Sequence, residues 1–214
     1  MAHSEPVSFQ GQAGNIDCQL DFPDGTPKGW ALVLHPHPLH GGARENKVAV
    51  TIARACVQHG LVAVRPNFRG VGASEGEFDN AVGETADMHR LVQQLLQQHP
   101  ELAPLPWVLA GFSFGTSVAA QLHAVLSSQT ELPAPEFLIL VGSAVERFRF
   151  RDISPPPDTL LIHGELDDVV PLEEAMQFAR AWNLPVAVLS NAGHFFHGKL
   201  PALKQLLQWR LASL

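Results

Sequence analysis

Cysteine and basic residues are both scarce in this 214-residue chain. The two cysteines, Cys18 and Cys56, form no C-x-x-C motif and stand in apolar-patterned segments. Such a pair is more typical of buried thiols in a reducing compartment than of a disulfide. Lysine and arginine number 14 against 21 acidic residues, which gives a net charge of −7, and they form no cluster. We therefore expect no nucleic-acid partner, because such a partner requires a basic surface.

Long hydrophobic runs are also missing. Runs such as Phe137 to Val141 are far shorter than the roughly 20 residues that a bilayer span needs. The first ten residues lack the basic start and the apolar stretch of a secretory signal peptide. We therefore expect a cytoplasmic protein without a membrane partner. Hydrophobic residues make up 46% and charged residues 16% of the chain, a globular composition, and the length fits one domain over residues 1–214.

Short apolar runs alternate with helical patterns along the chain. The predicted strands are Val7–Gln10, Ile16–Phe22, Trp30–His35, Leu61–Arg65, Trp107–Ala110, Phe137–Val141, Thr159–Ile162 and Val186–Leu189. The predicted helices are Glu45–His59, Val82–His99, Thr116–Ser127, Leu172–Trp182 and Lys199–Leu214. The last six strands are compact and apolar, as in a parallel sheet buried on both faces by helices. The first two alternate polar and apolar residues and predict an antiparallel hairpin at about residues 5–22. Ligands of such sheets bind at the carboxyl ends of the strands.

The clearest chemical signal is G-F-S-F-G, Gly111 to Gly115, between a predicted strand and a predicted helix. A serine in this setting is a nucleophile elbow. Glycines let the turn pass close to its neighbours, and the turn lifts the Ser113 hydroxyl towards the positive end of the following helix. The motif also occurs in ordinary Gly-Ser turns, but its place after a buried strand favours Ser113 as a catalytic nucleophile.

A serine hydroxyl becomes a strong nucleophile only when a nearby imidazole takes its proton. The base for this elbow is expected in the loop after the last strand, which reads S-N-A-G-H-F-F-H-G. His194 stands in that loop behind Gly193, which permits a sharp approach to the sheet edge. His197 is the alternative, and we expect it at the start of the final helix. The loop position favours His194.

The imidazole in turn needs a carboxylate to orient it. The strand predicted at Thr159–Ile162 leads into H-G-E-L-D-D-V-V-P, which offers Glu165, Asp167 and Asp168. An aspartate just before a helix is commonly a cap, which is the alternative role of Asp168 before the helix that begins near Pro171. The resulting chain order of serine, acid and histidine is the order that the elbow fold requires.

The negative charge of a tetrahedral intermediate requires backbone N–H donors. Phe114, directly after the nucleophile, should supply one. The second should come from L-H-P-H-P-L-H-G-G, where prolines have no N–H, so His37 is the best donor and Leu39 the next. The three histidines of this loop, His35, His37 and His40, could also suggest zinc, but the loop offers no carboxylate or thiolate as a further ligand, and we expect no metal.

The glycines of Asn67 to Phe78 do not match G-x-G-x-x-G, which argues against a nucleotide site. We expect a tight loop beside the pocket, with Arg69 paired to a carboxylate such as Glu84 or Asp87.

Several segments together resemble small bacterial α/β-hydrolases. The resemblance covers nearly the whole chain from Trp30 onward. The segments are L-H-P-H-P-L-H-G-G, N-K-V, R-P-N-F-R-G-V-G-A-S-E-G-E-F-D, G-F-S-F-G, H-G-E-L-D-D-V-V-P and G-H-F-F-H-G. The resemblance implies an α/β-hydrolase fold with an eight-stranded, mostly parallel sheet, esterase-like activity, and kinship with the dienelactone-hydrolase and serine-aminopeptidase branches. In the H-G-x-x-D-x-x-V-P stretch of this family, the aspartate at the position of Asp167 orients the histidine.

Two departures from the family bear on the substrate. Dienelactone hydrolases carry a cysteine where this chain has Ser113, so their substrate does not carry over. Many relatives insert a cap domain after the sixth strand, but here Gly142–Asp158 is too short for one. An uncapped, open site leaves room for a homodimer in which a second subunit shields it.

These patterns predict a serine hydrolase that cleaves the ester bond of a small-molecule acyl substrate through Ser113, Asp167 and His194, without a cofactor. A thioesterase or an amidase or peptidase on the same residues stays open, as does a catalytically silent binding protein. Five phenylalanines could line an apolar acyl pocket, although buried aromatic residues are more often core. They are Phe112, Phe114, Phe148, Phe195 and Phe196.

Overall fold

The computed structural model describes residues 3–214, and in that range eight strands form one sheet. The strands are β1 His3–Gln10, β2 Asn15–Phe22, β3 Gly29–Leu34, β4 Leu61–Pro66, β5 Trp107–Phe112, β6 Phe137–Val141, β7 Leu160–Gly164 and β8 Val186–Leu189. The helices are α1 Lys47–Gln58, α2 Val82–Gln98, α3 Phe114–Ser127, α4 Leu172–Trp182 and α5 Leu200–Leu211.

The sheet has the order β1-β2-β4-β3-β5-β6-β7-β8. Strands β1 and β2 form an antiparallel hairpin, and β2 pairs antiparallel with β4. Every pair from β4 through β8 is parallel. The predicted eight-stranded, mostly parallel sheet is thereby confirmed.

Two hydrophobic layers cover the two faces of the sheet. Successive residues of a strand point to opposite faces. On β3, Leu32 belongs to the layer that also contains residues of α2, α3 and α4, whereas Val33 belongs to the layer that contains residues of α1 and α5. The first layer contains the stacked indoles of Trp30 and Trp107, whose ring centroids lie 4.1 Å apart. Helices therefore cover both faces, as the alternating pattern predicts.

Strand β8 differs from its prediction as a strand buried on both faces. Its residues are half-buried or exposed, and the Val188 side chain is 43% exposed. The reason is its place at the edge of the sheet, where it pairs with β7 alone. An apolar run thus identifies a strand but not its position in the sheet.

The segment between β6 and β7 has no inserted domain. Residues 142–159 contain one 3₁₀ turn, Val145–Arg147, and otherwise irregular chain. The carboxyl edge of the sheet is therefore left without a lid. Among residues 3–214, no helix combines the length and apolarity needed to cross a membrane.

The loop after β4 is tied to α2 by a buried ion pair. Arg69 Nε lies 2.8 Å from Asp87 Oδ2, and the two side chains are only 10% and 3% exposed. Asp87 Oδ1 also accepts a hydrogen bond from the Gln12 N–H. Of the two predicted partners, Asp87 bonds to Arg69, whereas Glu84 accepts from the Asp79 N–H.

Replacing Asp87 with asparagine should lower the free energy of unfolding by about 2 kcal/mol, because it leaves the buried Arg69 charge with only the more distant carboxylate of Asp79, at 3.8 Å. Urea denaturation followed by tryptophan fluorescence measures this change. The matched control is Glu173→Gln, which breaks the exposed pair with Arg180 and should leave the midpoint unchanged. Equal midpoints for Asp87→Asn and wild type would contradict the assigned role of this pair.

Candidate active site

Ser113 occupies a one-residue turn between β5 and α3. Its backbone has φ 53° and ψ −121°, a strained conformation for a residue with a side chain. Its N–H donates to the carbonyl of Val141 at 2.9 Å. A Cβ at Gly111 would lie 2.2 Å from the Gly115 carbonyl oxygen, and one at Gly115 would lie 2.5 Å from that of Leu34. Both glycines are therefore required by space, as the elbow predicts.

Ser113, His194 and Asp167 form one hydrogen-bonded chain at the carboxyl edge of the sheet. His194 Nε2 lies 2.9 Å from Ser113 Oγ, and His194 Nδ1 lies 2.7 Å from Asp167 Oδ2. All three residues are buried. The carboxylate oxygen accepts from the Nδ1–H, which leaves Nε2 as the acceptor for the serine hydroxyl proton. The structure thus brings together the three side chains that the sequence selects.

The imidazole of His194 contacts two aromatic rings, which also contact each other. Its ring centroid lies 5.0 Å from that of Phe112 and 5.1 Å from that of Phe195. Gly142 also approaches this ring: its φ is +59°, and a Cβ there would lie 3.3 Å from His194 Cε1. Sequence reasoning missed this glycine, although its place directly after β6 was a signal that close packing occurs there.

The Asp167 carboxylate is the most fully bonded group of the site. Its Oδ1 accepts from the N–H groups of Val169 and Val170 at 3.0 and 2.8 Å. Burial acts to raise the pKa of Asp167, but the hydrogen bonds from His194 and Val170 outweigh it and hold the pKa below its ordinary value. The carboxylate is therefore charged when it faces His194.

The other two acidic residues of this segment have different places. Asp168 is exposed and does not cap α4, because Pro171 occupies the N-cap position and no side chain bonds there. The capping role considered for Asp168 is therefore wrong. Glu165 accepts from the Asn191 N–H at 2.8 Å. It thereby fastens the loop that carries His194, a function that the sequence analysis did not foresee.

His197 lies outside the hydrogen-bonded chain. It is exposed, and α5 begins only at Leu200. The expected position at the helix start is therefore wrong. The chain turns at Phe196, which has φ +52°, and again at Gly198 before the helix begins.

The two predicted oxyanion donors lie at the start of α3 and in the loop after β3. Phe114 is the first residue of α3, so its N–H has no acceptor within the helix. The Leu39 N–H instead donates to His37 Nδ1 at 3.2 Å. That bond makes Leu39 the weaker candidate and leaves His37 as the donor favoured in this loop.

His35 fastens this loop to the chain after β4. It is fully buried, and its Nδ1 lies 2.7 Å from the Pro36 carbonyl oxygen while Nε2 accepts from the Phe68 N–H at 2.9 Å. Burial lowers the pKa of His35 to about 4, so the ring is neutral near pH 7. His35 is consequently unavailable to a metal, and His37 stacks on His40 with ring centroids 4.3 Å apart. Among residues 3–214, no three His, Cys, Asp or Glu side chains are grouped so that they could hold a metal ion.

The predicted pocket of five phenylalanines does not form as a unit. Phe112, Phe114 and Phe196 are completely buried in the hydrophobic layers, whereas Phe148 is half-buried and Phe195 is 43% exposed. Side-chain direction, which the sequence pattern does not fix, separates them. Four exposed apolar side chains instead flank residues of the site along the chain: Leu39, Leu166, Val169 and Phe195.

A strained serine elbow on a mostly parallel sheet of this strand order, without a lid, defines the chain as an α/β-hydrolase. The serine hydrolase (FSH1) family matches residues 67–206, and the chain belongs to that family. It is therefore a serine hydrolase.

Solved structures support the same class. A lidless α/β serine hydrolase of Xanthomonas campestris is 31% identical, with a TM-score of 0.88 over 99% of this chain and 94% of that one. An α/β serine hydrolase homologue from Coxiella burnetii is 36% identical, with a TM-score of 0.83 over 97% of each chain. Among curated proteins, the chain is 27% identical to the mouse (Mus musculus) esterase OVCA2 over 75% of this chain and 72% of that protein.

The buried neutral His35 predicts how stability depends on pH. Its folded pKa of about 4 lies below the ordinary value of 6.5, so the unfolded chain binds the extra proton as the pH falls through this window. This residue alone should lower the free energy of unfolding by about 2 kcal/mol between pH 7 and pH 5. Urea denaturation at both pH values checks this, and His35→Gln should show a shallower dependence than wild type. An identical pH dependence in the variant would refute the assignment.

Proposed function

We propose that this serine hydrolase cleaves carboxylic esters through Ser113 as nucleophile, His194 as general base and Asp167 as the group that orients the imidazole. The observation that carries the proposal is the chain of 2.9 and 2.7 Å contacts through His194. The contact with Ser113 has the heavy-atom distance that proton transfer requires, and the contact with Asp167 is a hydrogen bond that orients the imidazole. The likeness to an esterase from mouse supports an ester as the substrate class.

In the first half of the reaction, Ser113 Oγ attacks the ester carbonyl carbon while His194 Nε2 takes the hydroxyl proton. The carbonyl oxygen becomes an oxyanion and accepts hydrogen bonds from the His37 and Phe114 N–H groups, aided by the positive end of α3. Asp167 stabilises the imidazolium that forms. When the C–O bond of the ester breaks, His194 gives its proton to the departing alcohol, and an acyl group remains on Ser113.

In the second half, water replaces the alcohol. His194 removes a proton from the water as its oxygen attacks the acyl carbon, and the oxyanion forms again between the same two donors. Collapse of this intermediate returns the proton to Ser113 Oγ and releases the carboxylic acid. The absence of an inserted domain between β6 and β7 leaves the water a direct path to this edge of the sheet.

Labelling with a fluorophosphonate tests the nucleophile without assuming a substrate. The Ser113 oxygen should displace fluoride from phosphorus and give a single adduct, detected by intact mass, which Ser113→Ala abolishes. His194→Ala and Asp167→Asn should slow labelling by about a thousandfold or more, since each breaks the activating chain.

The matched controls are the variants Asp168→Asn and His197→Gln, which change residues close in sequence to Asp167 and His194. Both should label at the wild-type rate, because neither side chain bonds to the site. If folded wild-type protein gave no adduct, a catalytically silent binding protein would be the better account. If Asp168→Asn labelled as slowly as Asp167→Asn, the choice of acid would be wrong.

A matched substrate panel tests the bond that is cleaved. We expect the p-nitrophenyl ester of a given acyl group to be hydrolysed with a higher kcat/KM than its thioester or its anilide, because the proposal rests on an ester leaving group. Ser113→Ala must abolish all three activities if they share one site. A higher kcat/KM for the thioester would reassign the enzyme as a thioesterase.

A further inference from the structure

A second buried histidine contacts the Asp167 segment from inside the sheet. His163, the next-to-last residue of β7, is 0% exposed. Its Nε2 lies 2.8 Å from the Val170 carbonyl oxygen. A carbonyl only accepts hydrogen bonds, so Nε2 carries the ring hydrogen and donates it.

His163 is connected to the Asp167 carboxylate in two ways. The N–H of Val170, whose carbonyl His163 holds, donates to Asp167 Oδ1 at 2.8 Å. In addition, His163 Nε2 itself lies 3.3 Å from Asp167 Oδ2. That oxygen is the one that bonds to His194 Nδ1 at 2.7 Å. The ring thus contacts both the backbone that positions the carboxylate and the oxygen that orients the base.

The surroundings of the other ring nitrogen, Nδ1, favour the neutral form of His163. Nδ1 is buried and has no hydrogen-bond partner among residues 3–214. A proton there would bury an N–H without an acceptor, which is unfavourable. Burial, together with the nearby His194, lowers the pKa of His163 against the opposing effects of the Val170 carbonyl, Asp167 and Glu174. A cationic neighbour would offset the charge of Asp167 to a much greater extent than a neutral donor does.

We propose that His163 is a positioning residue, a neutral Nε2–H donor that fixes Asp167 through Val170 and leaves the full carboxylate charge to His194. This inference rests on the proposed function of Ser113, His194 and Asp167. It assigns a second imidazole to the acid, whereas the sequence motif draws attention only to the aspartate.

The test compares His163→Gln, which keeps an N–H donor at the position of Nε2, with His163→Leu, which removes it. The rate constant of fluorophosphonate labelling and the kcat and KM for p-nitrophenyl acetate are measured from pH 5 to pH 9. His163→Leu should lower kcat about tenfold with KM within about twofold, since one fixed hydrogen bond at the acid is lost. The midpoint of the acid limb of the kcat profile should also rise by about 0.5 pH unit. Asp167 Oδ2 loses the nearby Nε2–H dipole, so the carboxylate favours the protonated form of the His194 imidazole more strongly. His163→Gln should restore most of both values.

His123→Leu serves as the control for loss of a buried histidine, because His123 is also buried but lies on α3 away from Asp167. His123→Leu should lower the free energy of unfolding without moving the midpoint of the acid limb of the pH profile. A His163→Leu protein that remains folded and keeps the wild-type kcat and midpoint would overturn the role of His163 alone. Loss of activity in His163→Gln equal to that in His163→Leu would also overturn it. Absence of labelling in wild type would overturn the proposed function, and this inference with it.

Discussion

The tight turn at Ser113 fixes the point towards which every other group of the site is directed. Its positive φ ends β5 and begins α3 within one residue, so the hydroxyl stands above the sheet rather than beside it. The turn is held from three sides: by the Val141 carbonyl, by the close approach of Gly111 to Gly115, and by the backbone of β3 against Gly115. Such strain persists only where the surroundings fix it. The parallel sheet supplies those surroundings, because the carboxyl ends of β3, β5 and β6 lie side by side.

The charged groups of the site also lie where the parallel strands end. The carboxylate of Asp167 lies in the loop after β7 and accepts hydrogen bonds from two backbone N–H groups, which stabilise its negative charge although it is buried. His194 comes from the loop after β8 and stands between the acid and the serine. Since these residues come from separate strand ends, the distances between them depend on the register of the sheet. The buried, neutral imidazoles of His35 and His163 fasten two of the loops without adding charge to the site.

The sequence predicts much of this arrangement, for physical reasons that differ between residues. The elbow around Ser113 is recognised from a local pattern. Only Gly111 meets its steric requirement within the turn, at the Gly115 carbonyl, whereas Gly115 meets the Leu34 carbonyl of β3. His194 and Asp167 follow from chain order combined with the rule that parallel strands end at one edge. By contrast, the exposure of β8 depends on strand order, which apolar content does not encode. The burial of Phe112 and Phe196 depends on side-chain direction, and the neutrality of His163 depends on which atoms surround each ring nitrogen.

If Ser113 and His194 act as one catalytic unit, a double-mutant cycle will show it. The measurement is the residual rate of ester hydrolysis for Ser113→Ala, His194→Ala and the double variant, each confirmed to be folded. We expect the double variant to lose no more activity than either single variant, because removing one member already disables the other. Losses that multiply in the double variant would instead show that Ser113 and His194 contribute independently.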